Sequence, residues 1–403
     1  MRSREFRGLV IAQVTSDWGD YIARVALASV VLARTDSAFL AVLAFVVSFV
    51  PAVFGSALLG GIADRVSRKA VLLTCDLGRG LVITLLAVVA VDGTPVWVLL
   101  GVLLVAEFFS APFDATQRAV VADVLPEPRL ALAGMGLMRV LFQVDQVVGI
   151  ALAGLVIFAV GARTGLLIDA ATFGISFVVV LVTLRARPAR REGDLPAPFL
   201  RDFLAGVHLL FDDIALRAIV VLGWGATVFV IAPEAAALAY ARHDGMPAQV
   251  GAVLMASVPA GAALGAYLLG RRAPMRQVGA MLPLAVLCCL PLLATCVAPP
   301  WWVTLFLFFT SGLGQAFLLP LMATVNLITP AAFRGRVNGL AGSGFSLASG
   351  AAFLLAGAVA DLTSPAVAVT ASGALGLALI GVVARSWPRA AIHRSASRVF
   401  EGG

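Results

Sequence analysis

The chain has 403 residues, 61% of them hydrophobic and only 13% charged, and its mean hydropathy is +1.01. Soluble domains are about half apolar and about a quarter charged, so a water-soluble enzyme is excluded for want of polar surface, and disorder is excluded because it needs low hydrophobicity. The net charge of +7 could fit nucleic acid, but the basic residues stand in short clusters between apolar runs, the pattern that orients a membrane protein.

A bilayer-crossing helix takes roughly 20 apolar residues. Twelve such segments follow one another, near 8–33, 38–62, 70–91, 96–121, 130–160, 164–184, 214–240, 248–270, 276–297, 301–326, 337–360 and 365–386. The expected fold is an all-α polytopic membrane protein with twelve transmembrane helices in two six-helix bundles, residues 1–184 and 214–386. Residues 185–213 form a polar linker with Arg185, Arg187, Arg190, Arg191 and Arg201, and its stretch from Phe199 to Phe211 suits an interfacial helix. Residues 387–403 form a tail. The segment behind Met1–Arg7 is too long and too polar for a signal core and reads as a retained first span.

Loop charges set the orientation. With the N-terminus inside, the inner segments hold Arg65, Arg68, Lys69, Arg129, Arg271, Arg272, Arg276, Arg334 and Arg336, and the outer loops only Arg34, Arg163 and Arg242. Both termini are therefore expected in the cytoplasm, with anionic lipid at the inner face.

The two halves repeat. Pro112-Phe113-Asp114-Ala115-Thr116 matches Pro320-Leu321-Met322-Ala323-Thr324, 208 residues later. Leu58-Leu59-Gly60 recurs as Leu268-Leu269-Gly270, and Ala153-Gly154 as Ala356-Gly357. A duplicated bundle of this kind implies a transporter with its site between the halves.

The loop after span two reads Gly60-Gly61-Ile62-Ala63-Asp64-Arg65-Val66-Ser67-Arg68-Lys69. It resembles the signature loop of the major facilitator superfamily, departing at Ile62 for Leu and Ser67 for Gly, and the resemblance covers the whole chain. Within that superfamily, the stretches Thr35 to Phe39, Asp76-Leu77-Gly78-Arg79 and Phe333 to Gly339 resemble a bacterial branch of twelve-span drug:proton antiporters that includes macrolide efflux proteins and enterobactin exporters. The resemblance implies the major facilitator fold in a bacterial cell membrane. It implies a cytoplasmic gate built on Gly60, Asp64, Arg65, Arg68 and Lys69, with Asp123 and Arg336 as further members, and a cavity lined by spans one, four, seven and ten. Two other motifs of the branch are degraded. Glu107 stands where span four would carry an arginine. Span five keeps Gly149 and Gly154, which suit helix packing, but has Ile150 where the branch has proline and Asp145 where it has glycine.

Ionisable side chains within spans are costly and mark ion or substrate paths. Span one carries Asp17, Asp20 and Arg24 on one face, with Asp20 and Arg24 placed for an internal pair. Span four carries Glu107, Asp114 and Arg118, also on one face, and Glu107 is the first candidate for proton coupling. Asp114, Asp20, Asp145 and Glu234 are further candidates, with Arg24, Arg118 and Arg139 as charge partners. Asp169 reads as structural, near an outer end. Trp18, Phe108, Phe142, Gln143, Trp224, Phe229, Gln315 and Asn326 could wall a substrate cavity. The cysteines read as small buried hydrophobes. No phosphate-cradling loop, metal cluster or cofactor motif is present in the sequence.

The expectation is a secondary exporter of an amphipathic small molecule (a drug, secondary metabolite or siderophore), monomeric, coupled to protons by alternating access and making no use of nucleic acid. A nutrient importer or uniporter of the same fold stays open, as does a non-transporting membrane partner or sensor.

Overall fold

The computed structural model describes residues 4–63, 66–91, 93–125, 127–185, 212–329, 334–385 and 387. They form helices and turns, with no strand among the described residues. The first half runs α1 Arg4–Thr35, α2 Ala38–Ala63, α3 Arg68–Val89, α4 Val96–Phe108, α5 Ser110–Val124 and α6 Pro128–Thr183. The second runs α7 Ile214–Val230, α8 Ala232–His243, α9 Ala248–Gly270, α10 Pro274–Gly279, α11 Met281–Cys289, α12 Trp301–Gly314, α13 Leu318–Ile328, α14 Arg334–Leu362 and α15 Pro365–Arg385. The interfacial helix expected over Phe199 to Phe211 lies outside the described residues.

Among the described residues, eight helical segments are long and apolar enough to cross a membrane. One of them, Val144–Thr183, is two crossings in one. Gly161 within it has φ 81° and ψ 163°, a conformation open to glycine and strained for side-chain-bearing residues. Val156 and Gly165 would stand roughly 13 Å apart in a continuous helix, yet a Cβ on Gly165 would lie 3.7 Å from Val156. The chain therefore folds back at Gly161, and the loop expected between 160 and 164 shrinks to that residue. Adding α1, with its membrane charges, and the shorter apolar stretches Ala38–Pro51 and Met281–Val297, the described helices are consistent with the twelve expected crossings.

Several crossings break at a proline, although Pro51 and Pro259 lie inside unbroken helices. Pro112 offers no N–H to the Phe108 carbonyl and crowds it. The chain answers with a tight turn in which Phe109 N–H donates to Ala106 O at 3.1 Å, separating α4 from α5. Pro233 separates α7 from α8 in the same way. Pro320 follows the 3-10 turn Gln315–Phe317, and Pro291 opens the 3-10 segment Leu290–Val297. Spans four, seven and ten, expected as continuous helices, are thus each interrupted near the middle.

The chain divides into two compact units, residues 1–195 with 247–256, and residues 196–246 with 257–403. In the first, α1 is the central helix and packs on both arms of α6. Gly149 leaves room for the Tyr21 ring, and Gly19 for Asp169 and Thr172. Its core joins Phe6, Leu9, Leu72, Phe113, Val120 and Val180. In the second, Gly261 on α9 sits against the Phe309 carbonyl, and Gly312 on α12 against the Val258 carbonyl, the close backbone approach that small residues allow in membrane bundles. Its core gathers Ile219, Leu222, Met281, Cys288, Phe317, Leu321 and Ile380.

Candidate functional site: a charged cavity in the first unit

The polar face of α1 follows from its spacing. Gln13, Ser16, Asp17, Asp20 and Arg24 recur at three- and four-residue intervals, so they share one side. That side opens on a cavity of about 450 Å³, whose lining includes all five together with Tyr21, Arg79 from α3, and Ser110, Phe113, Asp114, Gln117 and Arg118 from α5. Val121 of α5 and Met138 of α6 complete the wall.

Two ion pairs organise it. Arg24 gives Nε and Nη2 to Glu107 Oε1, each at 2.9 Å. Ser48 Oγ donates to the same oxygen at 2.7 Å, and Ser110 Oγ to Oε2 at 3.3 Å. Glu107 is only 4% exposed. It does not line the cavity but stands behind Arg24 as its fixed counter-charge. Arg79 Nη2 donates to both oxygens of Asp20, at 2.6 and 2.5 Å. Its guanidinium lies 4.2 Å from the centre of the Phe173 ring, and Nη1 reaches Ser16 Oγ at 3.5 Å. The expected Asp20–Arg24 pair within α1 is therefore corrected. Each residue turns to a partner on another helix, because a pair across helices gives each charge shorter, better-directed hydrogen bonds than a neighbour one turn away.

Around these pairs sit further buried acids. Asp76 accepts from Ser176 Oγ at 2.7 Å. Asp169 is fully buried against Gly19 and accepts from Thr172 Oγ1 at 3.3 Å; it belongs to this cluster. Trp18 Nε1 donates to Asp145 Oδ1 at 2.8 Å, so Trp18 anchors a buried acid. One oxygen each of Asp76, Asp145, Asp169 and Gln13 has no hydrogen-bond partner.

Of the expected coupling candidates, Asp20 and Asp114 line the cavity, with Arg24 and Arg118, while Glu107 and Asp145 lie outside its wall. Glu234 lies half-buried in the second unit. The wall expected to be aromatic differs. Trp18 and Phe108 are absent from this cavity's lining, which takes its apolar surface from Tyr21, Phe113, Val121 and Met138. In the second unit, Trp224 Nε1 donates to Ala341 O at 3.1 Å, Gln315 Nε2 to Val230 O at 3.4 Å, and Phe229 packs by Gly376. The side chains of Arg139, Phe142, Gln143, Asn326 and Arg336 lie outside the described residues, as do Asp64, Arg65 and the surroundings of Gly60. Of the expected gate, the described part is a pair between Arg68 and Asp123, with Arg68 also donating to Ala119 O at 3.4 Å. Lys69 Nζ donates to Leu181 O at 2.7 Å.

The sequence reading passed over Arg79, the cation that holds Asp20. The signal was available: an arginine in the middle of an apolar span, which the rule applied to spans one and four would also have marked.

Apolar crossings that enclose a charged cavity fit a membrane transporter. The chain belongs to the Major Facilitator Superfamily, whose sequence model matches residues 9–325. It is 25% identical to the uncharacterized MFS-type transporter YfiS of Bacillus subtilis (strain 168) over 359 residues, 85% of this chain and 83% of that one. It is 27% identical to the multidrug efflux pump Tap of Mycobacterium tuberculosis (strain ATCC 25618 / H37Rv) over 280 residues, 66% of each chain. It is 27% identical to macrolide efflux protein A of Streptococcus pyogenes over 194 residues, 47% of each. Among solved structures, the nucleoside transporter NupG superposes with a TM-score of 0.73 at 12% identity, covering 96% of this chain and 100% of that one. A peptide transporter POT structure with sulfate gives 0.70 at 15% identity, covering 98% and 96%. At these identities the solved structures show the shared fold alone.

Proposed function

We propose that the protein is a secondary active exporter of amphipathic small molecules, driven by proton antiport through alternating access, in a bacterial inner membrane with both termini in the cytoplasm. The observation that carries this reading is the cavity of the first unit. It combines an apolar wall with carboxylates and guanidiniums from three helices, and charge kept inside a membrane bundle is a costly feature that serves ion or substrate movement. The names of Tap and macrolide efflux protein A support export as the direction.

Within this reading Asp20 and Asp114 face the moving proton and substrate, Glu107 sets the position of Arg24, and Asp145 and Glu234 are further coupling acids. Arg68 and Asp123 form the described part of the cytoplasmic gate, Asp64, Arg65 and Arg336 complete it, and the basic loops bind anionic lipid. The protein works as a monomer and needs no cofactor. The rival is an importer or uniporter of the same fold. The buried Ile150 favours it, standing where the resembled antiporters carry a proline.

Inside-out vesicles with an imposed pH gradient separate the two. Ethidium, a macrolide and a siderophore are added in turn. Collapse of the gradient by at least one compound, absent in vesicles lacking the protein, is the expected result. Movement of a compound with no response of the gradient would replace antiport by uniport or import.

A further inference from the structure

Two basic loops occupy matching places in the half-chain repeat, one after Leu58-Leu59-Gly60 and one after Leu268-Leu269-Gly270. Their described cations are used differently. In the first unit they are engaged by the protein itself. Arg68 pairs with Asp123 and donates to the Ala119 carbonyl, and Lys69 donates to the Leu181 carbonyl. In the second unit Arg271, Arg272 and Arg276 stand exposed, and none of them has an acidic partner among the described residues. The sequence leaves little to pair with them, since it carries no aspartate or glutamate between Asp244 and Asp361. Three guanidiniums within six residues therefore look outward for an anion.

The helix that leads to them supplies the independent observation. Leu264, Tyr267, Leu268 and Arg271 recur at helical spacing and share one side of the end of α9. All four are exposed, Tyr267 to 61%, so this side faces lipid in a chain that crosses a membrane. The Arg271 guanidinium carbon lies 5.4 Å from the centre of the Tyr267 ring, a cation–π contact that holds the charge over the apolar face. The backbone of Arg272 is fixed at both ends. Its N–H donates to Leu269 O at 2.9 Å, and its carbonyl accepts from Gln277 Nε2 at 2.8 Å. An apolar stripe thus runs into an aromatic ring and then into cations on a braced turn. That sequence of surfaces matches the acyl chain, interface and headgroup of a phospholipid.

We infer that Arg271, Arg272 and Arg276 bind the phosphate of an anionic glycerophospholipid, with Tyr267 positioning Arg271 and an acyl chain lying along Leu264 and Leu268. The planar fork of a guanidinium suits paired phosphate oxygens. This rests on the proposed attraction of the basic loops to anionic lipid and narrows it to one site.

The test is retention of phosphatidylglycerol by the purified full-length protein in neutral detergent, counted by native mass spectrometry against phosphatidylcholine. Direction of insertion has no effect in micelles, so the result is independent of topology and of transport. Wild type should prefer phosphatidylglycerol at least about tenfold, and added salt should reduce the preference. An arginine near a lipid surface contributes about fivefold, so Arg271→Gln with Arg272→Gln and Arg276→Gln should abolish it. Tyr267→Leu should weaken binding about two- to fivefold, and Tyr267→Phe should leave it unchanged. All of these side chains are exposed, so unfolding temperatures without anionic lipid should match wild type. Arg385→Gln, at the exposed end of α15, should keep the full preference. A preference that survives the triple substitution, or Tyr267→Leu binding as wild type does, overturns the site. Displacement of the lipid by equimolar glycerol 3-phosphate also overturns it, in favour of a free-phosphate site. If Arg385→Gln costs as much as each arginine of the loop, general attraction stands and the site falls. If wild type shows no preference, both fall.

Discussion

The Arg24–Glu107 pair is the sharpest residue-scale feature because nothing but a partner makes either charge tolerable there. Removing one member of a buried pair leaves the other uncompensated and costs about 3–5 kcal/mol, whereas replacing both by apolar groups is often close to neutral. Glu107→Gln should therefore lower the thermal unfolding temperature in detergent markedly, and Arg24→Met with Glu107→Met should recover most of the loss. Additive losses in that double-mutant cycle would mean that the two side chains do not stabilise each other. That spans one and four each carry ionisable side chains on one face was legible in the sequence, since intramembrane charge is conspicuous, but Arg79 of span three was not singled out. Which pairs with which was not legible. Spacing along α1 put Asp20 beside Arg24, but spacing cannot report a guanidinium arriving from α3 or a carboxylate from α4.

At the scale of helices, the apolar runs located the crossings and missed their interruptions. The prolines were in view, and the rule that a proline breaks the turn before it fits the breaks at Phe109, Ile231 and Gln315–Phe317, but Pro51 and Pro259 lie inside unbroken helices, so proline alone does not locate an interruption. Gly161 was harder to see, because a single glycine in an apolar run does not announce a reversal. Two substitutions separate its role from ordinary helix propensity. A Cβ at Gly161 or at Gly174 would meet nothing within 4 Å, so neither substitution clashes. Gly161→Ala imposes positive φ on a side-chain-bearing residue and should destabilise by about 1–2 kcal/mol. Gly174→Ala lies within an ordinary helical stretch and should stabilise by about 0.5–1 kcal/mol. Opposite shifts in unfolding temperature are expected. Shifts of the same sign would mean that Gly161 does not need its left-handed geometry. By the same steric logic Gly312→Ala, which drives a methyl into the Val258 carbonyl, should cost more than either.

For the whole molecule, the half-chain repeat that spacing suggested reappears in local geometry, with its chemistry changed. The offset of 208 residues between Pro112 and Pro320 carries Glu107 onto Gln315 and Phe109 onto Phe317. Both places are the interruption before the proline. In the first unit the side chain there is an acid held by Arg24; in the second it is a neutral amide donating to the Val230 carbonyl at 3.4 Å. Span-borne charge follows the same division. Asp17, Asp20, Arg24, Asp76, Arg79, Glu107, Asp114, Arg118, Asp145 and Asp169 all lie in the first unit, while the described crossings of the second carry few charges, Glu234 chief among them. The charges carried within the crossings are thus concentrated in one of the two units.

Orientation is the remaining property of the whole chain that loop charge predicts, and it decides on which side the cavity of the first unit loads. The rule works because lysine and arginine near a span end are held back from crossing during insertion. The last turn of α8 bears Arg242, and the segment between α9 and α10 bears Arg271 and Arg272. In a cysteine-free background, necessary because the native Cys296 is exposed, His243→Cys places a thiol at the end of α8 and Arg272→Cys one between α9 and α10. A membrane-impermeant maleimide should label the first in intact cells and the second only after permeabilisation. The reverse pattern would invert the topology, place both termini outside, and turn a compound-driven collapse of the gradient in inside-out vesicles into evidence for uptake.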